Sequence, residues 1–209
     1  MNIPRYNRFK VVLPTTMLPH WLSDLYTDIL RDAGLAKVYP TGPYDCINES
    51  ILGIDIPGIH MKLVEQNKRL VDGVGSVTTY WPIGLNNIRV LDDNSMALTF
   101  RHIDGFLNYQ MLRDAVAYMA DDYAQNAQGE VFKNIGDVRV ITQLTDNYAV
   151  HYTYQQVVYD AIDGNKFAYA QAASENTFTV RCKFMYYYAD YFYKGKCISH
   201  RAYNHKQGN

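Results

Sequence analysis

The sequence predicts an α+β fold that is mainly β, with mostly antiparallel sheets and two helices. First, several segments alternate apolar and polar residues, as half-buried strands do. Second, only two segments carry apolar residues at helical spacing. Third, the 209 residues include 19 tyrosines, concentrated in the C-terminal third, and tyrosine favours strands and protein contacts.

The first quarter of the chain predicts a strand, a helix and a weaker strand. Residues 8–13 alternate and end at Pro14, and a helix follows Pro19 and stops at Gly34. Residues 39–44 indicate a loop by their Pro and Gly content, and residues 47–56 the weaker strand. The apolar positions of the helix are Trp21, Leu22, Leu25, Ile29 and Ala33.

A possible arm follows this region. Residues 59–66 alternate, and residues 67–76 are polar and rich in glycine. We predict that residues 67–76 form an extended loop, or the arm of a long hairpin that returns at residues 77–81. A short strand at 88–91 and a turn at 92–94 come next.

The clearest patterns lie beyond this turn. Residues 95–103 predict a strand, and residues 108–123 predict an amphipathic helix with Asn108 as its N-cap. Alternation predicts three further strands at residues 137–144, 148–158 and 177–188. Met96, Leu98 and Phe100 share one face of the strand, and the buried stripe of the helix is Met111, Leu112, Ala115, Val116 and Met119.

The sequence contains no fixed repeat and no convincing linker, so we expect one domain over residues 1–209. Within it we distinguish an N-terminal extension (1–45), a core (46–193) and a polar C-terminal tail (194–209). Residues 199–209 are expected to fray or to dock on a neighbour.

Charge and cysteine content argue against several function classes. Lys and Arg number 20 against 21 Asp and Glu, so no broad positive field favours tight, sequence-independent DNA binding. Cys46, Cys182 and Cys197 lack disulfide or zinc spacing and are predicted to be reduced thiols. No apolar run reaches the roughly 18 to 20 residues of a membrane span, so we expect a soluble protein without a membrane anchor, made in a cytoplasm.

Enzyme signatures are absent from the sequence: it has no G-x-S-x-G elbow, P-loop, H-E-x-x-H or G-x-G-x-x-G motif. His102 and Asp104 stand two apart at a strand end, as in half of a metal or acid–base site. An Asp that caps the following turn is the favoured interpretation, because no third ligand is recognisable nearby. We therefore predict no catalytic residue, no cofactor and no metal.

An aromatic cluster occupies residues 184–193, with Arg181 and Lys183 before it and Lys194 and Lys196 after it. Stacking on single-stranded bases or sugars is one possible use. Aromatic residues on both faces of a strand more simply indicate burial on both faces, against the protein's own core and against a neighbour. We favour this packing interpretation.

Several stretches between residues 47 and 190 carry, in order, a family resemblance. They are Ile54-Asp55-Ile56-Pro57-Gly58-Ile59 with Gln66, Met96-Ala97-Leu98-Thr99-Phe100-Arg101, Asp104-Gly105-Phe106-Leu107-Asn108-Tyr109, Asn176-Thr177-Phe178-Thr179-Val180 and Phe184-Met185-Tyr186-Tyr187-Tyr188. Together they resemble the tail-tube family of bacteriophages, which includes hub, neck and terminator variants. The resemblance implies two packed antiparallel sheets in a tail-tube-like β-barrel or sandwich with one flanking helix, to which the N-terminal helix is an extra element.

The resemblance also implies a function. A protein of this kind is a non-catalytic virion protein whose copies, usually six, close into a ring around a channel for DNA or other cargo. Its expected partners are other copies of itself and neighbouring tail, neck or baseplate proteins, with DNA passing transiently through the channel without specific binding. The expected location is the phage tail, after synthesis in the host cytoplasm. Ring closure would hide exposed sheet edges, and near-neutral charge suits passing DNA.

The resemblance further suggests which residues form the subunit interface. By resemblance, the arm at residues 67–76 reaches a neighbouring subunit, and the tyrosine cluster supplies contact area. The predicted interface residues are Asn67, Lys68, Arg69, Asp72, Gly73, Tyr187 and Tyr191.

A second hypothesis comes from another class of protein. In it, the chain is a monomeric β domain that binds carbohydrate or single-stranded nucleic acid through its tyrosine cluster. This hypothesis predicts that Tyr187→Ala or Tyr191→Ala abolishes ligand binding.

Overall fold

The computed structural model describes residues 9–55, 63–69, 76–82, 94–103, 105–163 and 176–203, and it confirms a mainly β, antiparallel fold. The strands are β1 (Phe9–Val12), β2 (Ile51–Asp55), β3 (Leu63–Arg69), β4 (Ser76–Pro82), β5 (Ser95–Arg101), β6 (Gly136–Gln143), β7 (Tyr148–Ile162), β8 (Thr177–Lys183), β9 (Tyr186–Tyr193) and β10 (Lys196–Tyr203). The helices are α1 (His20–Asp32), α2 (Pro43–Glu49), α3 (Leu107–Ala120) and α4 (Asp122–Gln128).

Eight of these strands form one sheet. The strand order is β1-β6-β7-β8-β5-β2. Strand β7 also pairs with β9, and β9 pairs in turn with β10. The sheet does not close on itself, because β1, β2 and β10 each pair with only one strand in the described part of the chain. The predicted two-sheet arrangement is present as two halves of one sheet, and the barrel is open.

Strand β7 joins the two halves of the sheet. Its 15 residues pair with β9 up to Gln155 and with β8 from Val158 onward. Between them, Gln156 has a positive φ of 52° and donates its backbone N–H to the Asp137 carboxylate at 3.2 Å. The predicted strand at residues 177–188 is in fact two strands, β8 and β9, which pair with β7 on either side of Gln156.

The helices cover the inner face of the bent sheet. Leu98, Phe100 and Val180 from one half pack in the same core cluster as Val138 and Tyr154 from the other. From α3, Met111, Leu112 and Ala115 are buried in this cluster, as predicted, whereas Val116 and Met119 are half-buried. Leu22 of α1 and Val11 of β1 belong to the same cluster, so the predicted N-terminal extension is built into the core.

The buried face of α1 differs from the prediction. The helix has the expected limits, but its buried residues are Leu22, Tyr26 and Leu30. Leu25 and Ile29, two of the apolar positions that predicted the helix, are 46% and 38% exposed. Both sets follow the i, i+4 spacing of a helix, and the spacing alone does not tell which of two adjacent stripes is covered.

Two helix boundaries also differ. Residues 43–49 form α2 rather than the start of a strand, with Pro43 in the first turn, where its missing N–H costs nothing. Asn108 lies inside α3 and does not cap it. Its Oδ1 accepts from the Ile103 N–H at 3.2 Å and its Nδ2 donates to the Arg101 carbonyl at 2.7 Å, which ties the end of β5 to the helix.

The C-terminal region contains a strand that was not predicted. Lys194 and Gly195 have φ of 47° and 77°, the left-handed pair of a tight hairpin turn, and β10 returns along β9 from this turn. The expectation that the chain frays or docks elsewhere from residue 199 is therefore wrong for residues 199–203. The predicted strand at 88–91 and the final residues 204–209 lie outside the described residues. No helix in the described part is both long and apolar enough to cross a membrane.

Candidate functional site

The predicted arm is a separate two-stranded hairpin. β3 and β4 pair antiparallel from Leu63 opposite Pro82 to Arg69 opposite Ser76, and neither pairs with the eight-stranded sheet. Of the predicted interface residues, Asn67, Lys68 and Arg69 are the last three positions of β3. Asp72 and Gly73 lie outside the described residues.

Three edges of the main sheet are open in the described residues. Each edge strand also exposes a large apolar side chain: Phe9 of β1 is 42% exposed, Leu52 of β2 is 51% and Ile198 of β10 is 59%. An edge strand offers a row of free backbone N–H and C=O groups to another chain, and monomeric proteins usually protect such edges with charges or bulges. These edges are therefore candidate contact surfaces.

The aromatic cluster divides into a buried and an exposed part. Tyr187 is 4% exposed and stacks on Tyr154 with ring centroids 5.3 Å apart, inside the core. It offers almost no area to a neighbour or to a ligand, so its predicted interface and stacking roles lose their physical basis. Tyr191 is half-buried, while Tyr186 and Tyr193 at the two ends of β9 are exposed.

His102 is part of the core and faces no cleft in the described structure. Its side chain is 7% exposed. The centroid of its ring lies 4.5 Å from that of Phe106, 5.7 Å from that of Tyr109 and 4.9 Å from that of Phe178. Asp104 lies outside the described residues. We interpret this buried imidazole, which lies among aromatic rings, as a packing element.

Neither of two open clefts in the described structure gathers a catalytic set. One, of about 500 Å³, lies between the end of β1 and the start of β6 and is lined by residues that include Thr15, Thr16, Asp137 and Arg139. The other, of about 310 Å³, lies between α1, α3 and α4 and contains Trp21, Asp114 and Asp121. Among the described residues, no three His, Cys, Asp or Glu side chains are placed to hold a metal ion.

None of the three cysteines forms a disulfide, and Cys46 and Cys182 are buried. Burial raises the pKa of the Cys182 thiol to about 12, with a smaller contribution from the charge of Asp160. Cys182 is therefore a neutral, unreactive core residue at physiological pH.

An exposed aromatic pair at one end of the sheet was missed by the sequence reasoning. Tyr148 at the start of β7 and Tyr193 at the end of β9 are directly paired, with ring centroids 4.7 Å apart. The Lys194 ammonium lies 5.5 Å from the centroid of the Tyr193 ring. The pairing register of β7 and β9, which are distant in sequence, brings these residues together, and no local sequence pattern predicts the contact.

The sequence matches no protein-family model and no curated protein. Among solved structures, the chain is similar to Hcp1 from Salmonella typhimurium, with 12% identity over 71% of this chain and 75% of that chain and a TM-score of 0.34. It is also similar to a chain of the anti-feeding prophage baseplate, with 7% identity over 70% of this chain and 81% of that chain and a TM-score of 0.37. A third similarity is to Hcp2 from Salmonella typhimurium, with 10% identity over 74% of this chain and 97% of that chain and a TM-score of 0.32. All three are distant likenesses.

Proposed function

We propose that this protein is a structural subunit that assembles with copies of itself into a ring in a phage tail, as part of a tube, hub or neck layer. The observation that carries the proposal is the open sheet, whose edge strands β1, β2 and β10 combine free backbone groups with exposed apolar side chains. Such edges favour pairing with another chain. Edge-to-edge addition of identical copies covers them repeatedly and, if the rotation closes, produces a ring.

The hairpin formed by β3 and β4 supports the same proposal. Seven-residue strands extend about 23 Å at about 3.3 Å per residue, so the hairpin is long enough to contact an adjacent subunit. We propose that Asn67, Lys68 and Arg69 take part in this contact, together with Asp72, Gly73 and Tyr191 of β9. Tyr187 is not included, because it is buried in the core.

The remaining parts of the proposal follow from a ring of this kind. The subunit is non-catalytic, residues 1–209 act as one domain, and six copies enclose a channel through which DNA or cargo passes. A chain with a formal net charge of −1 offers such DNA little attraction. Its partners are neighbouring tail, neck or baseplate proteins, and its location is the virion after synthesis in the host cytoplasm.

Negative-stain electron microscopy tests this proposal when it is combined with the mass of the protein in solution at low and high concentration. We expect rings or stacked tubes with a central hole and a mass that increases with concentration. A monomer at every concentration, alone and with the neighbouring tail proteins, would overturn the proposal.

One observation favours a second candidate function. The exposed pair of Tyr148 and Tyr193 beside Lys194 could stack on bases or sugars. In that case the protein is a monomer, and Tyr193→Ala abolishes its binding to an oligothymidine or an oligosaccharide. Absence of binding by the unmodified protein removes this candidate.

A further inference from the structure

One end of the sheet carries an exposed surface that is both apolar and basic. We call it the sheet tip and define it by Leu144, Tyr148, Tyr193, Lys194 and Lys196. Leu144 is 62% exposed, Tyr148 45% and Tyr193 37%, and both lysines are exposed. The two tyrosine rings lie on the face of the sheet that is buried further along, since Val150 and Tyr154 on the same face of β7 are 2% and 0% exposed. The strands thus run past the core that covers them.

The outer side of α1 carries a surface of opposite character. We call it the α1 stripe and define it by Asp24, Leu25, Asp28, Ile29 and Asp32. The aliphatic pair Leu25 and Ile29 is exposed at i, i+4 spacing, and the three carboxylates form a parallel row beside it.

Arg31 neutralises only part of this row. Its guanidinium lies 2.7 Å from the Asp28 carboxylate and 3.9 Å from that of Asp32, and all three side chains are at least 60% exposed. Such exposed pairs are weak. Asp24 has no ion pair among the described residues, so the stripe keeps a net negative charge.

The tip and the stripe lie at opposite ends of the molecule. Tyr193 is at the far end of β9, whereas the first turns of α3 pack at the start of β8, where the Tyr109 and Phe178 rings are 5.2 Å apart. α1 runs antiparallel to α3 towards these turns, since Trp21 contacts Tyr118 and Tyr26 contacts Asp114. From Phe178 to Tyr193 the strands extend on the order of 30 Å or more, so the two surfaces do not meet within one chain.

We propose that the sheet tip of one copy docks on the α1 stripe of the next copy. The inference rests on the proposed self-assembly and adds to the edge pairing a second contact between subunits. Tyrosine rings against aliphatic side chains supply apolar burial, and Lys194 and Lys196 face the row of Asp24, Asp28 and Asp32. Asp146, in the turn beside Lys194, leaves the tip with a net charge of +1 and the complementarity intact.

This contact joins two different surfaces, so it is heterologous and repeats from copy to copy. A heterologous contact closes into a ring or extends into a filament, and it cannot stop at a symmetric dimer. The contact between the sheet tip and the α1 stripe therefore favours a ring or a filament over a symmetric dimer.

Charge reversal on each surface tests the inference in a way that a general loss of stability cannot imitate. The stripe variant combines Asp24→Lys with Asp28→Lys, and the tip variant combines Lys194→Glu with Lys196→Glu. The control variant combines Lys133→Glu with Arg139→Glu, which makes the same charge change as the tip variant at exposed residues outside both surfaces. Circular dichroism checks that each variant is folded, and sedimentation velocity measures its association.

Each reversed variant is expected to associate at least about tenfold more weakly than the unmodified protein, while the control associates normally. An equimolar mixture of the two reversed variants should assemble again, because the basic stripe of one fits the acidic tip of the other, and the remaining two surfaces also match. Normal assembly of both reversed variants, or a mixture that stays dissociated, overturns the inference and leaves the proposed ring intact. A monomeric unmodified protein overturns both.

Discussion

Strand β9 carries a buried tyrosine at its second position and an exposed one at its last, and the two serve different purposes. At its start, Tyr187 is enclosed by Tyr154 and Phe184, with ring centroids 5.3 and 6.0 Å away. At its end, the Tyr193 ring contacts Tyr148 and Lys194 and is 37% exposed. The difference teaches that the tyrosine cluster is not one functional unit. Tyr187 stabilises the fold, and Tyr193 is available for contacts.

Tyr187→Ala and Tyr193→Ala measure this difference directly and should give the largest contrast. We expect Tyr187→Ala to lower the free energy of unfolding by about 3–5 kcal/mol, because it empties a ring-sized volume in the core. Tyr193→Ala should cost about 1 kcal/mol or less, since it removes one half-exposed ring pair. Urea unfolding followed by circular dichroism gives both values.

Association should follow the reverse order for the two substitutions. Tyr193→Ala is expected to weaken assembly of the folded protein, whereas Tyr187→Ala, under conditions where it remains folded, leaves the contact surface unchanged. Equal destabilisation by the two substitutions would mean that the end of β9 is as well packed as its beginning.

Much of the fold could be predicted from the sequence, because many strands and helices carry clear local patterns. Met96, Leu98 and Phe100 alternate along β5, and all three are buried as expected. The prediction failed where tertiary packing decides between equivalent local patterns. Leu25 and Ile29 have the spacing of a buried stripe, yet the covered residues of α1 are their neighbours.

The candidate surfaces were predictable only in part for the same reason. The polar, glycine-rich stretch at 67–76 indicated the arm, and β3 and β4 do form a hairpin around it. The sheet tip was not predictable, because Tyr148 and Tyr193 are 45 positions apart and become neighbours only through the register of β7 and β9. Composition identified an excess of tyrosine but not which of these residues are exposed.

Two glycines with a positive φ differ in the same way, one lying at the packed end of the sheet and the other at the sheet tip. Gly136 begins β6 at the core end with a φ of +99°, and a Cβ there would lie 2.8 Å from Thr16 Oγ1 and 3.2 Å from Pro14 Cβ. Gly195 lies in the turn at the tip with a φ of +77° and nothing within 4 Å of its Cβ position.

We expect Gly136→Ala to lower the free energy of unfolding by about 2–3 kcal/mol, from left-handed strain and from the clash with Thr16. The Thr16 hydroxyl donates to the Ile135 carbonyl at 2.7 Å, so it cannot move away without losing a hydrogen bond. Gly195→Ala should cost about 1 kcal/mol, because it adds only the left-handed strain. Thermal unfolding of both variants checks the difference, and equal losses would show that the Thr16 contact relaxes freely.

Alkaline pH should lower the free energy of unfolding by a smaller amount, through ionisable groups that are buried in the core. The pKa of the Cys182 thiol is raised by burial from 9.0 to about 12, and burial also raises the pKa of Tyr154 and Tyr159 in the same core. In each case the folded protein favours the neutral form. Above pH 9 the unfolded chain releases the Cys182 proton while the folded protein keeps it, so the folded protein binds more protons and stability falls as pH rises.

For Cys182 alone, the loss between pH 7 and pH 10 is about 1 kcal/mol. Urea unfolding at both pH values measures the total, which should exceed this figure because the buried tyrosines contribute with the same sign. Cys182→Ala should reduce the loss by about 1 kcal/mol. An unchanged loss in this variant would mean that alkaline unfolding does not originate in the buried thiol, and the contrast between the two ends of the sheet would then be one of exposure alone.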